Sequence, residues 1–299
     1  MIASEVLLIR PQRFYSNPQT QSSNSFQQTG NEELSIRAKH EFEGVLQKLS
    51  GEGINHVVFD ANNPDTPDAC FPNNWLVTLP DKRILSFSML AESRRAERNE
   101  SIIDSLMKMR NYEEHIPLTS GEQRNPLEIL EGTGSLILDH KMKTGYAALS
   151  PRTHPNAIKE FEEFTGYSIH VFRSSGPAGE LIYHTNVMMA LGERFVAIGL
   201  DTVDSQDQFK LREKLESEGH DIIDLTLDQV YSNFAGNMLQ LRDQRDRPVM
   251  LLSSKAEHSL SNSQRHQLLR YNDRLISFDI DAIETMGGGS IRCMLAELF

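Results

Sequence analysis

The chain has 299 residues, with 30 Lys plus Arg against 42 Asp plus Glu and a formal net charge of −12. That excess of carboxylates excludes a nucleic-acid binder that works by releasing counterions, and it disfavours docking on anionic membrane headgroups. An apolar fraction of 38% with 24% charged residues still permits a sizeable core at this length.

No apolar run reaches the span of a bilayer, and the opening residues lack a basic segment with a small-residue cleavage site. The expectation is a soluble, cytoplasmic protein. Two cysteines, Cys70 and Cys293, provide neither a disulfide framework nor a metal knuckle.

In chain order, Val6–Arg10 reads as a short strand that runs into a polar stretch, Ser16–Gln28, suited to a surface connection. Leu34, Ala38, Phe42, Val45, Leu46 and Leu49 fall on one helical stripe ended by Gly51 and Gly53, which predicts a core-facing helix. A strand is expected at Asn55–Asp60. Trp75–Leu79 and Ile84–Met89 then read as a strand pair about a tight turn. Arg94–Met109 predicts one charged amphipathic helix, and Leu136–Leu138 with Thr144–Leu149 a second strand pair.

The rest repeats the cadence. Helices are expected at Asn156–Phe164, Ser205–Glu218, Leu227–Leu241 and Ser263–Tyr271. Strands are expected at Ser168–Phe172, Leu181–Tyr183, Val187–Leu191, Arg194–Gly199, Asp221–Leu225, Val249–Ser253 and Leu275–Asp279. Strand pairs and single helices recur without the strict alternation of a doubly wound sheet. One α+β domain over residues 1–299, with internal quasi-repetition, fits this pattern.

Four segments carry possible chemistry. Gly287-Gly-Gly-Ser-Ile-Arg-Cys293 places three glycines before a cysteine, and no Lys-Ser or Lys-Thr follows to make a phosphate loop. His184 ends a strand-like run beside polar residues, and a nucleophilic Cys needs such an acid/base, which need not be near in sequence. Glu131 is followed by glycines at 132 and 134. Asp68, Asn73 and Asn74 precede the single Trp, Trp75.

The order of Pro67-Asp68-x-x-Phe71, Ser93-Arg94-Arg95, Glu131-Gly132-x-Gly134, Leu149-Ser150-x-Arg152-Thr153, His184 and the glycine stretch with Cys293 resembles the amidinotransferase superfamily of the pentein fold. Within it, the chain is similar to the dimethylarginine dimethylaminohydrolase and arginine deiminase branches. Asn17-Pro-Gln-Thr20, Phe71-Pro-Asn-Asn-Trp75 and Tyr183-His-Thr-Asn-Val187 look most like the bacterial group that hydrolyses citrulline to ornithine.

The resemblance implies a five-fold pseudosymmetric ring around a central site. It implies Cys293 as nucleophile, activated as a thiolate by His184, with His184 as acid/base and Glu131 as its acidic partner. Asp68 lines the substrate site, and Arg95 and Arg152 clamp the substrate carboxylate, with the adjacent Arg94 an alternative to Arg95. The implied partner is a small amino-acid substrate, with no cofactor and no metal.

Two departures from the relatives bear on the substrate. Asn73-Asn74 stand where dimethylarginine hydrolases carry a Glu-Asp pair against a cationic guanidinium. A buried Asp facing a neutral ureido group would be an uncompensated charge, whereas Asn offers both a donor and an acceptor. Ser135 and Asn186 likewise replace acids of the arginine deiminases. These residues favour citrulline over arginine or dimethylarginine.

Overall fold

The computed structural model describes residues 1–299. Fifteen short strands form five three-stranded sheets, and every sheet has the same plan. A middle strand pairs antiparallel with one neighbour and parallel with the other. The parallel step requires a crossover, and a helix supplies it each time.

In the first unit, β1 (Glu5–Arg10) is joined through α1 (Glu32–Gly51) to β2 (Asn55–Asp60). The second unit contains β3 (Leu76–Thr78), β4 (Arg83–Phe87), α2 (Glu100–Arg110) and β5 (Glu114–Leu118). The third contains β6 (Ile137–Asp139), β7 (Thr144–Ala148), α3 (Pro155–Thr165) and β8 (Ser168–Phe172).

The fourth unit comprises β9 (Met189–Leu191), β10 (Phe195–Ile198), α4 (Ser205–Ser217) and β11 (Asp221–Asp224). In the fifth, β12 (Leu239–Arg242) and β13 (Pro248–Ser253) are followed by α5 (Ser254–Ser259), α6 (Asn262–Leu269) and β14 (Arg274–Phe278). Beyond α7 (Asp281–Gly287), the terminal strand β15 (Ala296–Leu298) pairs antiparallel with β1 and supplies the strand that the first unit lacks.

Neighbouring units meet along their first strands: β15 lies against β3, β6 against β9, and β9 against β12. The result is the five-fold α/β ring that the resemblance implied. Its core lies between the strands and the helices outside them. The stripe of α1 is a clear case: Ala38, Phe42, Val45 and Leu49 are buried against Leu239, Leu251, Ile276 and Ile283 in one cluster.

Three expected elements differ. The helix expected over Arg94–Met109 is two pieces, a single turn at Glu92–Arg95 and then α2. Asn99 is extended between them, and its side chain accepts from Ser101 N, so it starts a new helix. The helix expected over Leu227–Leu241 stops at Tyr231, and its last residues are β12. Phe234 there has φ +53, and a Cβ on Gly236 would sit 2.5 Å from the Val187 carbonyl oxygen, so tertiary packing turns the chain inward. Leu181–Tyr183 forms only a bridge to Ser175, and β5 was missed because Pro117 breaks its pattern.

Gly236→Ala should therefore destabilise the protein by about 1–3 kcal/mol, because the obstacle is backbone that cannot swing aside. Gly44→Ala, in mid-α1 with open space around it, should instead stabilise by up to about 1 kcal/mol. Denaturant unfolding of the two variants checks both signs.

Candidate active site

Each sheet's first strand is entered through a tight turn, and the five turns meet on the ring axis. They are Pro72–Asn74 before β3, Gly132–Ser135 before β6, Thr185–Val187 before β9, the Phe234–Asn237 turn before β12 and Ile291–Met294 before β15. Side chains stitch one turn to the next. Thr133 Oγ1 donates to Asn73 O at 3.3 Å, Thr185 Oγ1 to Ser135 O at 2.6 Å, and Asn237 Nδ2 to Asn186 O at 2.8 Å. Arg292 N donates to Asn237 Oδ1 at 3.0 Å.

Residues far apart in sequence thus converge on one cavity. Cys293, His184, Asp68, Asn74, Arg94 and Arg152 all line it, together with Tyr183 and the Gly287–Gly289 backbone. Glu131 is fully buried behind the imidazole: its Oε2 is 2.7 Å from His184 Nε2, and its Oε1 accepts from Leu90 N at 2.9 Å.

Burial raises the Glu131 carboxyl, but Arg152, the His184 hydrogen bond and Arg94 outweigh it and hold the group at about 2. His184 is pushed down to about 4, chiefly by burial, and its bond to Glu131 only partly offsets this. Burial also pushes the Cys293 thiol up. Burial thus favours a neutral thiol and a neutral imidazole, so the thiolate that the resemblance implied has to be generated by proton transfer.

Of the remaining sequence candidates, Asn73 is fully buried but does not line the cavity, and its Oδ1 accepts from Asn74 Nδ2 at 3.2 Å. Arg95 is a correction. It lies outside the cavity, half-buried, donating to Met89 O and standing 3.7 Å from Glu122. On the single turn Glu92–Arg95, adjacent side chains point about 100° apart, so only Arg94 can face inward.

Arg94 has little left to offer a substrate. Its Nε and Nη2 hold both oxygens of Glu97 at 2.9 and 2.8 Å, its Nη1 donates to Asn74 Oδ1 at 2.7 Å, and Nη2 also reaches the carbonyls of Asp68 and Phe71. Burial raises the Glu97 carboxyl to about 7 despite Arg94's opposing charge. Arg152 differs: its Nη2 donates to Ser23 Oγ at 2.7 Å, its guanidinium lies over the Tyr183 ring, and its buried Nε has no protein partner.

The polar Ser16–Gln28 stretch, expected as a surface connection, packs over the cavity. Asn17 Nδ2 donates to Asp68 Oδ2 at 2.8 Å, and Asn24 Nδ2 reaches the carbonyls of Gly287 and Gly288 at 3.4 and 3.3 Å. Gly288 has φ +63 and ends α7, and a Cβ there would meet Asn24 at 2.5 Å. Burial raises the Asp68 carboxyl against the pull of Arg94 and Asn17.

The sequence matches the family described as N,N dimethylarginine dimethylhydrolase, eukaryotic, over residues 10–299. The chain belongs to that family.

It is accordingly a member of a family of cysteine-dependent hydrolases that act on guanidino groups, within the pentein superfamily related to the arginine deiminases. No curated protein matches the chain. Among solved structures, the substrate-bound N-terminal domain of ArgZ, an arginine dihydrolase from the ornithine-ammonia cycle in cyanobacteria, aligns with TM-score 0.74 and 13% identity over 98% of this chain and 97% of that one. Unliganded AgrE aligns with TM-score 0.77 and 15% identity, over 99% of this chain and 39% of that one. A dimethylarginine dimethylaminohydrolase variant, as its adduct with S-methyl-L-thiocitrulline, aligns with TM-score 0.67 and 14% identity over the full length of both. At these identities the likeness confirms the fold of this family member.

Two residues that sequence reasoning passed over, Glu97 and Asn237, belong to this site. Glu97 lies within the charged run read as one helix, and Asn237 within the expected helix over Leu227–Leu241. Because Arg94 and Glu97 are both buried, Glu97→Ala should cost about 3 kcal/mol or more by removing the carboxylate that the guanidinium binds with two N–H groups and leaving only the longer contacts to Asp68 and Glu131. Arg95→Ala should cost less than about 1 kcal/mol. Denaturant midpoints of the two variants separate the adjacent arginines.

Proposed function

We propose that this enzyme hydrolyses citrulline to ornithine, ammonia and carbon dioxide. The observation that carries this reading is the state of the Asn74 amide. Arg94, a donor-only group, takes one acceptor position of its oxygen at 2.7 Å, and one N–H is directed to Asn73, which leaves the second N–H as a donor available to a substrate. A donor suits the ureido oxygen of citrulline. A guanidinium has only donors and would leave it unmatched.

The reaction follows from the remaining groups. As Cys293 attacks the ureido carbon, its proton passes to His184, which then delivers it to the departing ornithine nitrogen. Glu131 stabilises the imidazolium formed in between and fixes the ring. The S-carbamoyl enzyme is hydrolysed by a water that His184 deprotonates. Cysteine and carbamate result, and carbamate decomposes to ammonia and carbon dioxide. Arg152, with its free buried Nε–H, is the group placed to receive the substrate carboxylate.

A second reading, arginine as substrate, draws support from Asp68. This carboxylate lines the cavity and could face a cationic guanidinium. AgrE, of similar fold, has been solved with L-arginine.

Purified enzyme offered citrulline, arginine, dimethylarginine, succinylarginine and agmatine should release ornithine fastest from citrulline; faster turnover of arginine would make the second reading the correct one. Asn74→Asp, which removes the donor, should lower the ratio of citrulline to arginine turnover by about tenfold or more. An unchanged ratio would overturn the donor argument.

The pH dependence follows from the neutral thiol–imidazole pair. Protonating His184 removes the base, so kcat/KM falls as pH drops through the imidazole value of about 4, well below the ordinary 6.5. Kinetics from about pH 5.5 to 8 should show a plateau. An acid limb centred near 6.5 would contradict the assigned environment of His184.

A further inference from the structure

Asn237 is fully buried, six residues beyond Tyr231, where the helix ends, and on the turn that enters β12. Its amide can adopt only one orientation. Arg292 N, a donor, approaches one end at 3.0 Å, so that end is Oδ1. Asn186 O, an acceptor, lies 2.8 Å from the other end, so that end is Nδ2. One N–H is thereby taken by Asn186 O, and the second lies toward Cys293 Sγ, 3.3 Å away.

The neighbouring Asn186 Nδ2 is 3.5 Å from the same sulfur. Neither contact was anticipated for Asn237, and the mechanism above makes no use of either. Around the sulfur, the facing groups are these two amides, the Gly289 backbone, and His184 across the cavity. Charged groups packed nearby are Arg292, the residue before the cysteine, and farther off Arg94, Arg152, Glu131 and Asp68.

We propose that Asn237 is a catalytic residue, a fixed neutral donor that stabilises the Cys293 thiolate as its proton moves to His184. This deepens the reading above and rests on Cys293 being the nucleophile. The proton balance is unchanged: the S–H bond breaks, the imidazole N–H forms, and the sulfur's charge is met by the Asn237 N–H. The donor is held before the charge develops, because Arg292 N and Asn186 O fix it from both sides, so no reorganisation accompanies the step. A neutral donor also adds no countercharge to a site proposed to take a neutral substrate. The burial that opposes a free thiolate gives the hydrogen bond its strength.

The test follows the thiol itself in the complete chain without substrate, so its outcome is independent of whether citrulline is the substrate. The rate of Cys293 carboxamidomethylation by iodoacetamide is measured against pH by mass spectrometry. In Asn237→Ala the midpoint should rise by about one pH unit or more, and kcat should fall about tenfold to a hundredfold. Asn237→Asp keeps the shape and the acceptor for Arg292 N but sets a carboxylate oxygen against the sulfur, so its midpoint should rise further. A purely structural role predicts a lower unfolding midpoint with the thiol midpoint unmoved, and that result overturns the proposal.

A second measurement needs no variant of Asn237. Its side-chain amide resonances in the unsubstituted protein should shift with the midpoint of alkylation and lose that shift in Cys293→Ala. Amide signals that do not titrate overturn the proposal equally. Loss of turnover in Cys293→Ala tests the underlying nucleophile assignment separately.

Discussion

Everything at the centre of this molecule depends on the pairing of β15 with β1. Glu5, Val6 and Leu7 oppose Leu298, Glu297 and Ala296, so the last strand of the chain completes the first sheet. That closure turns five open units into a ring and abolishes what would otherwise be a free edge on β1. It also fixes the turn Ile291–Met294 on the axis, which brings Cys293 into the cavity that His184 lines and Glu131 backs. Chemistry here is a consequence of closure, because Cys293, His184 and Glu131 come from three different units.

The same axis explains how polar and charged groups are tolerated inside the protein. Arg94 binds both oxygens of Glu97 and the oxygen of Asn74, so an otherwise costly buried cation becomes the element that orients a neutral amide. Glu131 remains ionised because Arg152, His184 and Arg94 surround it, while His184 remains neutral because burial dominates. Two groups in contact are thereby held in different protonation states, one an ionised carboxylate and one a neutral imidazole.

The polar segment between β1 and α1 forms part of the cavity wall. Asn17, Ser23 and Asn24 bind Asp68, Arg152 and the glycine backbone, three separate parts of the cavity wall. These contacts are few and polar, with little apolar burial along the segment apart from Phe26, which packs on Tyr231, Phe234 and Tyr183.

The sequence by itself determined the units and the main chemical groups. Periodicity located α1 and most strands, since those elements bury one face and the pattern is local. Motif order identified Cys293, His184, Glu131, Asp68, Asn74 and Arg152, all of which the fold brings to one place. Only the tertiary structure decided between Arg94 and Arg95, because identical neighbours on one helical turn differ solely in the direction they face. Only it drew Asn237 into the site. The close passage of Gly236 against Val187 ends a pattern that reads locally as helix, and that obstacle lies on a different unit, where no local pattern can register it.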